Sequence, residues 1–133
     1  MISRLVRGCG TTAPYPLVFI DRYLETTGGS YIISDNRQGS RLAADYLLNA
    51  VGEQIAILHF PLCNSTVTER YDSFREAFAN ARLHFTPKND CMIDDLRLLD
   101  KSNENRIEYI MASILQHLRK YSQLRGFFCA NAE

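Results

Sequence analysis

Short, entirely apolar runs alternate along this chain with longer segments of helical periodicity, and that alternation constrains the fold most. The apolar runs are residues 17–20, 31–33 and 127–130, together with the strand-like segment 55–60, which includes His59, and a weaker candidate at 91–93. Runs that are apolar at every position are typical of strands buried on both faces, as in parallel sheets. We therefore expect most of these strands to lie in the interior of an α/β fold.

Three segments, residues 39–49, 66–81 and 105–120, carry apolar residues at helical spacing. The apolar positions are Leu42, Ala43, Tyr46 and Leu47, then Val67, Tyr71, Phe74, Phe78 and Ala81, then Ile107, Ile110, Met111, Ile114, Leu115 and Leu118. The order of elements is strand, strand, helix, strand, helix, strand, helix, strand. This order predicts parallel strands joined by right-handed helical crossovers.

Length and charge limit the function classes. The chain has 133 residues, 46% of them hydrophobic, and a formal net charge of zero. Such a length suits one compact unit with a real core, and balanced charge argues against a basic nucleic-acid-binding surface. No run approaches the roughly 20 apolar residues of a membrane span, and the N-terminus lacks the pattern of a secretory signal. We expect a soluble, cytoplasmic protein.

The two ends and one long connection are irregular in pattern. Glycines and prolines punctuate residues 1–16, which predicts an irregular segment. The polar stretch from Thr86 to Glu104 is interpreted as a surface loop whose carboxylates, Asp90 among them, are solvated. The chain stops directly after the strand at 127–130, which indicates an α/β unit cut short.

Cysteines and histidines give no metal or catalytic signature. Cys9, Cys63, Cys91 and Cys129 are widely spaced, without the close pairs of a zinc site, and are interpreted as buried or partly buried free thiols, with Cys129 in the core. His59, His84 and His117 are isolated, so no chemistry is assigned to them. Because nucleophile elbows and phosphate-binding loops are also absent from the sequence, we predict no catalytic residues, no metal and no cofactor.

A candidate ligand site follows from the fold, because open α/β sheets bind ligands beyond the carboxyl ends of their strands. Residues 21–22, 34–38, 61–70 and 131–133 fall there. Arg70 stands out: it lies early in a helix, where a cation opposes the macrodipole, and no acidic residue three or four positions away compensates. A guanidinium there suits hydroxyls or a carboxylate of a small ligand. The alternatives are a distant salt bridge and simple exposure.

Five stretches together resemble the effector-binding domain of LacI/GalR (lactose-repressor/galactose-repressor) family transcriptional regulators. They are residues 16–22, 34–47, 55–62, 70–74 and 127–131, in matching order and spacing. The resemblance implies a periplasmic-binding-protein-like fold of type I with two α/β subdomains. Residues 17–50 would form part of the first subdomain and residues 51–133 the first half of the second.

The resemblance also implies a function: a sensor for a small molecule, a sugar or sugar derivative, with no catalysis. Its ligand-binding residues would be Arg70, Gln38, Asn64, Thr66 and Asn131. The regulator would act as a homodimer and would contact DNA only through a helix-turn-helix domain that this chain lacks. One departure bears on the sugar: Ala132 stands where the family usually has an aspartate that accepts from a hydroxyl.

Two other functions stay open at the level of sequence. One is a free-standing α/β enzyme or nucleotide-binding domain. The other is an inert truncated product that pairs through an unfinished sheet. Binding of a sugar that depends on Arg70 would favour the sensor, whereas turnover by the intact chain would favour the enzyme.

Overall fold

A computed structural model describes residues 3–7, 18–21, 30–62, 64–94 and 103–131. The strands are β1 (Ser3–Arg7), β2 (Val18–Ile20), β3 (Ser30–Ser34), β4 (Ile55–His59), β5 (Asp90–Met92) and β6 (Gly126–Cys129). The helices are α1 (Asn36–Val51), α2 (Ser65–Asn80) and α3 (Asn103–Lys120), with a 3-10 turn at Pro87–Asn89. The predicted α/β order is confirmed, with helix bounds within three residues of those predicted.

The described strands form two three-stranded sheets. The first has the order β1-β3-β2, in which β2 runs parallel and β1 antiparallel to β3. The second has the order β5-β4-β6 and is parallel throughout. The prediction that residues 1–16 are irregular is therefore wrong for Ser3–Arg7, because these residues pair along the whole of β3.

Among strands β2 to β6, whose burial the structure describes, burial on both faces is found in the centre of the second sheet. Ile55, Ala56 and Ile57 of β4 are fully buried. Strands β2 and β3 were predicted to be equally buried, but Ile20 is 76% and Ile32 41% exposed. The expectation fails there because, among the described residues, α1 and α2 pack on strands of the second sheet.

The two faces of β4 belong to two apolar clusters. Ile55 and Ile57 join the cluster of α2, together with Phe74 and Phe78, both 0% exposed. Phe74 also stacks on Phe128 of β6, with ring centroids 5.7 Å apart and planes 7° apart. On the opposite face, Ala56 packs with Cys91, Leu124 and partly buried residues of α3 and its C-terminal turn. These clusters fix the strand ends that carry the candidate site.

α1 packs on α2 through serine hydrogen bonds as well as through apolar residues, and half of its predicted apolar stripe is exposed. Ser40 Oγ donates to the Arg70 carbonyl at 2.6 Å, and Ser73 Oγ donates to the Arg37 carbonyl at 2.8 Å. Leu42 and Tyr46 of the predicted stripe are 64% and 73% exposed. The predicted stripe is wrong at Leu42 and Tyr46, whereas Leu47 packs on the core next to the fully buried Ala44.

The apolar face of α3 is buried only in part. Ile110, Ile114 and Leu118 are half-buried, whereas Ile107, Met111 and Leu115 are exposed.

α1 contacts β4 and β6 as well as α2, so α1 lies with the second sheet. The division of the chain into residues 1–16, 17–50 and 51–133 stays a prediction.

Candidate functional site

The carboxyl ends of β4, β5 and β6 are tied together beyond the last ladder bonds of the second sheet. The backbone N–H of Ile93 donates to His59 O at 2.8 Å, and that of Ala130 donates to Leu58 O at 2.9 Å. The N–H of Phe60 donates to Asn131 Oδ1 at 3.0 Å. Asn131, a predicted ligand-binding residue, therefore lies at the edge where ligands of open α/β sheets bind, with its carboxamide oriented by Phe60.

Arg70 reaches this edge from α2. Its Nη1 donates to the carbonyl oxygen of Ala130 at 2.7 Å, and its Nε donates to Asn36 Oδ1 at 3.1 Å. The side chain is thus neither exposed in bulk solvent nor, through these bonds, paired with an acid. Two of the five guanidinium N–H groups are used in this way. The remaining donors belong to a guanidinium that is anchored at Ala130, the residue before Asn131.

Asn36 is a residue that the sequence reasoning did not single out. It is 5% exposed in the first turn of α1, accepts from Arg70 and donates from Nδ2 to Glu69 Oε2 at 3.1 Å. It therefore links α1 with two consecutive residues of α2. Its position directly after the N-cap Asp35, in a segment predicted to face the ligand, was the available signal.

Gln38 and Asn64 are placed at helix starts. The backbone N–H of Gln38 donates to the capping carboxylate of Asp35 at 2.9 Å, and the residue is exposed. Asn64 is the N-cap of α2, and its Oδ1 accepts from the N–H of Val67 at 3.0 Å. A capping bond satisfies a backbone donor at the start of a helix. Asn64 thus has a structural task at the start of α2.

Thr66 joins the two sheets. Its hydroxyl donates to the carbonyl oxygen of Asp21 at 3.1 Å, directly after β2. Asp21 has a φ of 70°, a left-handed conformation that is uncommon for residues other than glycine. The N–H of Asp21 also donates to Ile32 O at 2.9 Å. The bend after β2 is therefore held both by its own sheet and by the first turn of α2.

A cavity of about 200 Å³ opens at the same edge, lined by Leu58, His59, Phe60, Ile93, Ile110, Cys129 and Asn131. It is smaller than the roughly 300–1,000 Å³ of pockets that hold drug-sized ligands. Its walls are mostly apolar, with polar atoms at Asn131 and His59. The space suits one end of a small polar molecule.

A buried polar cluster lies behind the cavity. His59 is 4% exposed; its Nε2 lies 2.9 Å from Asp90 Oδ1 and its Nδ1 2.6 Å from the Phe60 carbonyl oxygen. The hydroxyl of Tyr71 donates to Asp90 Oδ2 at 2.6 Å. Tyr71 and His59 are also in ring contact, with centroids 4.8 Å apart.

The cluster corrects two expectations from the sequence. Asp90 is not a solvated loop carboxylate but begins β5, and its hydrogen bond with His59 lowers the pKa of its carboxyl group. Burial, and then the bond to Asp90, raises the pKa of Tyr71 to about 12. His59 was assigned no chemistry. The parallel pairing of β4 with β5 brings the two groups together, and no local motif signals that pairing.

Two cysteines, Cys91 and Cys129, lie within the described residues, and both are free thiols. Cys91 is a buried free thiol, as predicted, and burial raises its pKa to about 11. Cys129 is exposed, so its predicted place in the core is wrong. Cys9 and Cys63, like Ala132, lie outside the described residues. Within residues 3–7, 18–21, 30–62, 64–94 and 103–131, no three His, Cys, Asp or Glu side chains are grouped to hold a metal ion.

Comparison with known proteins bears on the family. No protein-family model matches the sequence. Over 71 residues the chain is 32% identical to the ribose operon repressor of Bacillus subtilis (strain 168), an alignment covering 53% of this chain and 21% of the repressor. The chain thus spans about a fifth of that relative. In the part of the chain that the structure describes, no helix is long and apolar enough to cross a bilayer.

Two solved structures share the fold. One is assigned as a ribose operon repressor from Burkholderia thailandensis, with a TM-score of 0.56, 21% identity and coverage of 86% of this chain and 48% of the other. The second is a regulatory protein of the LacI family from Chloroflexus aggregans, with a TM-score of 0.57, 21% identity and coverage of 85% and 48%. The chain spans about half of each. The resemblance to the LacI/GalR family is confirmed by these likenesses, and the chain carries part of the periplasmic-binding-protein-like α/β fold of such regulators.

Proposed function

We propose that this chain is part of the effector-binding region of a LacI-family transcriptional regulator and binds a small molecule, a sugar or sugar derivative, without catalysing a reaction. The observation that carries the proposal is the placement of Arg70. Its guanidinium is held at the carboxyl end of β6 by Ala130 and Asn36. It thus presents charged donors at the edge where α/β sheets bind ligands.

Each predicted site residue has a distinct task in this proposal. The remaining N–H groups of Arg70 would bind hydroxyls or a carboxylate of the ligand, since a planar guanidinium binds such groups with two parallel bonds. Asn131, whose oxygen is bound by Phe60, would offer its NH₂ group to a hydroxyl. Thr66 and Asn64 would shape the start of α2, and Gln38 would approach the ligand from α1.

A ligand seated here would act on the relation between the two sheets. Thr66 of α2 is bonded to the bend after β2, so the site borders both sheets. A molecule that binds one arrangement of the sheets better than another shifts the population toward it. In a regulator, that shift would pass to a homodimer whose helix-turn-helix domains bind DNA, in the cytoplasm. These partners come from the family resemblance.

The chemistry of the ligand is proposed from the relatives. Two of the similar proteins are ribose operon repressors, which makes pentoses the first class to examine. The cavity of about 200 Å³ at this edge is lined by Asn131 and His59 but not by Arg70, so in this proposal it would hold only one end of the ligand. Phosphorylated sugars and sugar acids form the next class, because Arg70 would pair with their anionic groups.

The test is isothermal titration of the full chain with ribose, other pentoses, hexoses and their phosphates and acids. We expect one class to bind, and Arg70→Ala to weaken its affinity at least about tenfold, which corresponds to about 1.4 kcal/mol. Arg119→Ala, on the exposed last turn of α3, is the matched control and is expected to bind as the native chain does.

Other outcomes would overturn the proposal. If Arg70→Ala bound the sugar with unchanged affinity, the guanidinium of Arg70 would not contact the ligand. Nucleotide binding in place of sugar binding, or turnover of a substrate by the intact chain, would favour the alternative of a nucleotide-binding domain or an enzyme. Both are measured with the same protein preparation.

A further inference from the structure

The cavity beside Asn131 has walls that are almost entirely apolar. Five of its seven lining side chains carry no strong hydrogen-bonding group: Leu58, Phe60, Ile93, Ile110 and Cys129. Ile93 is 2% exposed, and Ile110 of α3 is half-buried. An apolar cavity of roughly 150 Å³ in a protein interior stays dry and binds a benzene-sized molecule. A cavity of about 200 Å³ is therefore large enough for a small apolar group.

The polar groups of His59 and Phe60, which also line the cavity, already have partners within the protein. The two ring nitrogens of His59 lie 2.6 Å from the Phe60 carbonyl oxygen and 2.9 Å from Asp90 Oδ1. The N–H of Phe60 donates to Asn131 Oδ1 at 3.0 Å. A ligand hydroxyl placed among these groups would displace one of their hydrogen bonds or stay unpaired, and a buried, unpaired hydroxyl is costly in free energy.

The backbone carbonyls at the strand ends are satisfied as well. The carbonyl oxygen of Leu58 accepts from the N–H of Ala130, and that of His59 accepts from the N–H of Ile93. At the Asn131 end, in contrast, a carboxamide keeps two N–H donors beside its bound oxygen, and Arg70 is anchored one residue earlier, at Ala130. Groups suited to hydroxyls are thus concentrated at one end of the cavity.

We propose that this cavity is an apolar subsite, which takes a methyl-bearing end of the ligand while Asn131 and Arg70 bind its hydroxyls. The inference rests on the proposed function and narrows it to sugars in which a methyl group replaces a terminal hydroxymethyl group. Such a methyl gains contact with Leu58, Ile93 and Ile110, whereas a hydroxyl loses water without gaining a partner. The expected preference is about tenfold to a hundredfold in affinity, the usual effect of one small group in a hydrophobic pocket.

The test is isothermal titration of the full chain with sugars in matched pairs. Each sugar is compared with the analogue whose terminal hydroxymethyl group is a methyl: ribose with its terminal deoxy form, L-mannose with L-rhamnose, and L-galactose with L-fucose. In the pair that binds, we expect the deoxy member to bind at least about tenfold more tightly.

Three variants locate the preference in the cavity. Ile110→Ala removes carbon atoms from the wall and is expected to reduce the preference for the deoxy sugar. Cys129→Met fills the space with a longer side chain and is expected to abolish it. Ile107→Ala, the same substitution at a 59% exposed position of α3 outside the lining, is the matched control and should keep the native preference.

A measurement without sugar separates this inference from the proposed function. Xenon binds in dry apolar cavities. In the full chain labelled with ¹³C, we expect xenon to shift the methyl signals of Leu58, Ile93 and Ile110 and to leave those of Leu42, 64% exposed on α1, in place. In Cys129→Met these shifts are expected to become smaller.

Several results would contradict the apolar subsite. A parent sugar that binds as tightly as its deoxy analogue, or a preference unchanged in Cys129→Met, would refute the subsite while the proposed function stands. Signals of the lining methyl groups that stay constant under xenon would show that the cavity does not accept an apolar group. If Ile110→Ala does not fold, Cys129→Met decides. If no sugar binds, the proposed function fails, and the xenon shifts alone decide whether the subsite exists.

Discussion

Arg70 on α2 and Ala130 after β6 are joined by a hydrogen bond of 2.7 Å between a guanidinium nitrogen and a backbone carbonyl oxygen. The bond connects a helix to the end of a strand 60 residues further along the chain. It gives a potential ligand-binding cation a second, structural task. Removing the side chain should therefore affect stability even when no ligand is present.

We expect Arg70→Ala to lower the free energy of unfolding by about 1–3 kcal/mol, because the carbonyl oxygen of the buried Ala130 and Asn36 Oδ1 lose a charged donor. Urea denaturation of the ligand-free chain measures the change. Arg119→Ala, at an exposed position of α3, is the control and should remain within about 0.5 kcal/mol of the native chain. An equal loss in both variants would contradict the structural task of Arg70.

Asn64 provides a second test, because its capping task and its proposed ligand task are separable. Asn64→Ala should destabilise the chain by about 1 kcal/mol through loss of the bond to the N–H of Val67. Asn64→Ser, which retains a capping oxygen, should restore most of that stability. If the serine variant also binds sugar normally, the contribution of Asn64 is capping alone; thermal and chemical unfolding together with titration measure both effects.

The pH dependence of stability should show the Tyr71–Asp90 contact at alkaline pH. The pKa of Tyr71 is about 12 in the folded chain and about 10 when unfolded, so the folded state favours the protonated phenol. Its contribution is complete below about pH 10 and is lost as the pH rises toward 12. Tyr71→Phe should flatten this part of the stability curve, measured by urea unfolding at a series of pH values.

The carboxylate of Asp90, the partner of Tyr71, should affect stability at acid pH, because folding shifts its pKa in the opposite direction. The pKa of Asp90 is lower in the folded chain, chiefly through its bond with His59. Its contribution is present above the ordinary carboxyl value of about 4 and is lost as the pH falls through the folded value. Asp90→Asn should remove that part of acid destabilisation. If the free energy of unfolding of this variant fell with decreasing pH as steeply as that of the native chain, the Asp90 contact would not stabilise the fold.

The aromatic core beneath the site gives a test of packing. Phe74 is fully buried and packs on Phe78 and Phe128, so Phe74→Ala should cost about 3–5 kcal/mol. Leu42→Ala, at a residue 64% exposed on α1, is the matched control and should change stability by less than about 0.5 kcal/mol. Comparable losses would show that the Leu42 stripe is buried, as its periodicity first predicted.

The sequence predicted the elements well where periodicity and burial agree. In α2, the apolar spacing of Val67, Tyr71, Phe74 and Phe78 matches a face that is buried in the structure. In α1 the same reasoning failed at Leu42 and Tyr46, which are exposed, whereas Leu47 packs on the core and hydroxyl-to-carbonyl bonds at Ser40 and Ser73 also join α1 to α2. Strand β1 was missed since its pairing partner, β3, lies more than 20 residues away.

The sequence predicted at which edge of the sheet the candidate site lies, but it did not predict the hydrogen bonds within the site. Strand ends located Arg70 and Asn131 at one edge, because parallel strands place their carboxyl ends together. The bonds from Arg70 to Asn36 and from His59 to Asp90 depend on side chains brought together by helix packing and strand pairing. No spacing within a single segment carries that information.

The two serine bonds between α1 and α2 have a mechanical consequence. Each hydroxyl is anchored to the main chain of the opposite helix, so a sliding of one helix along the other would break both bonds at once. The helices are thereby locked in register and must travel together. Any displacement that a bound molecule imposes on Arg70 is carried into the first turn of α1, and through it to the strand that precedes that turn.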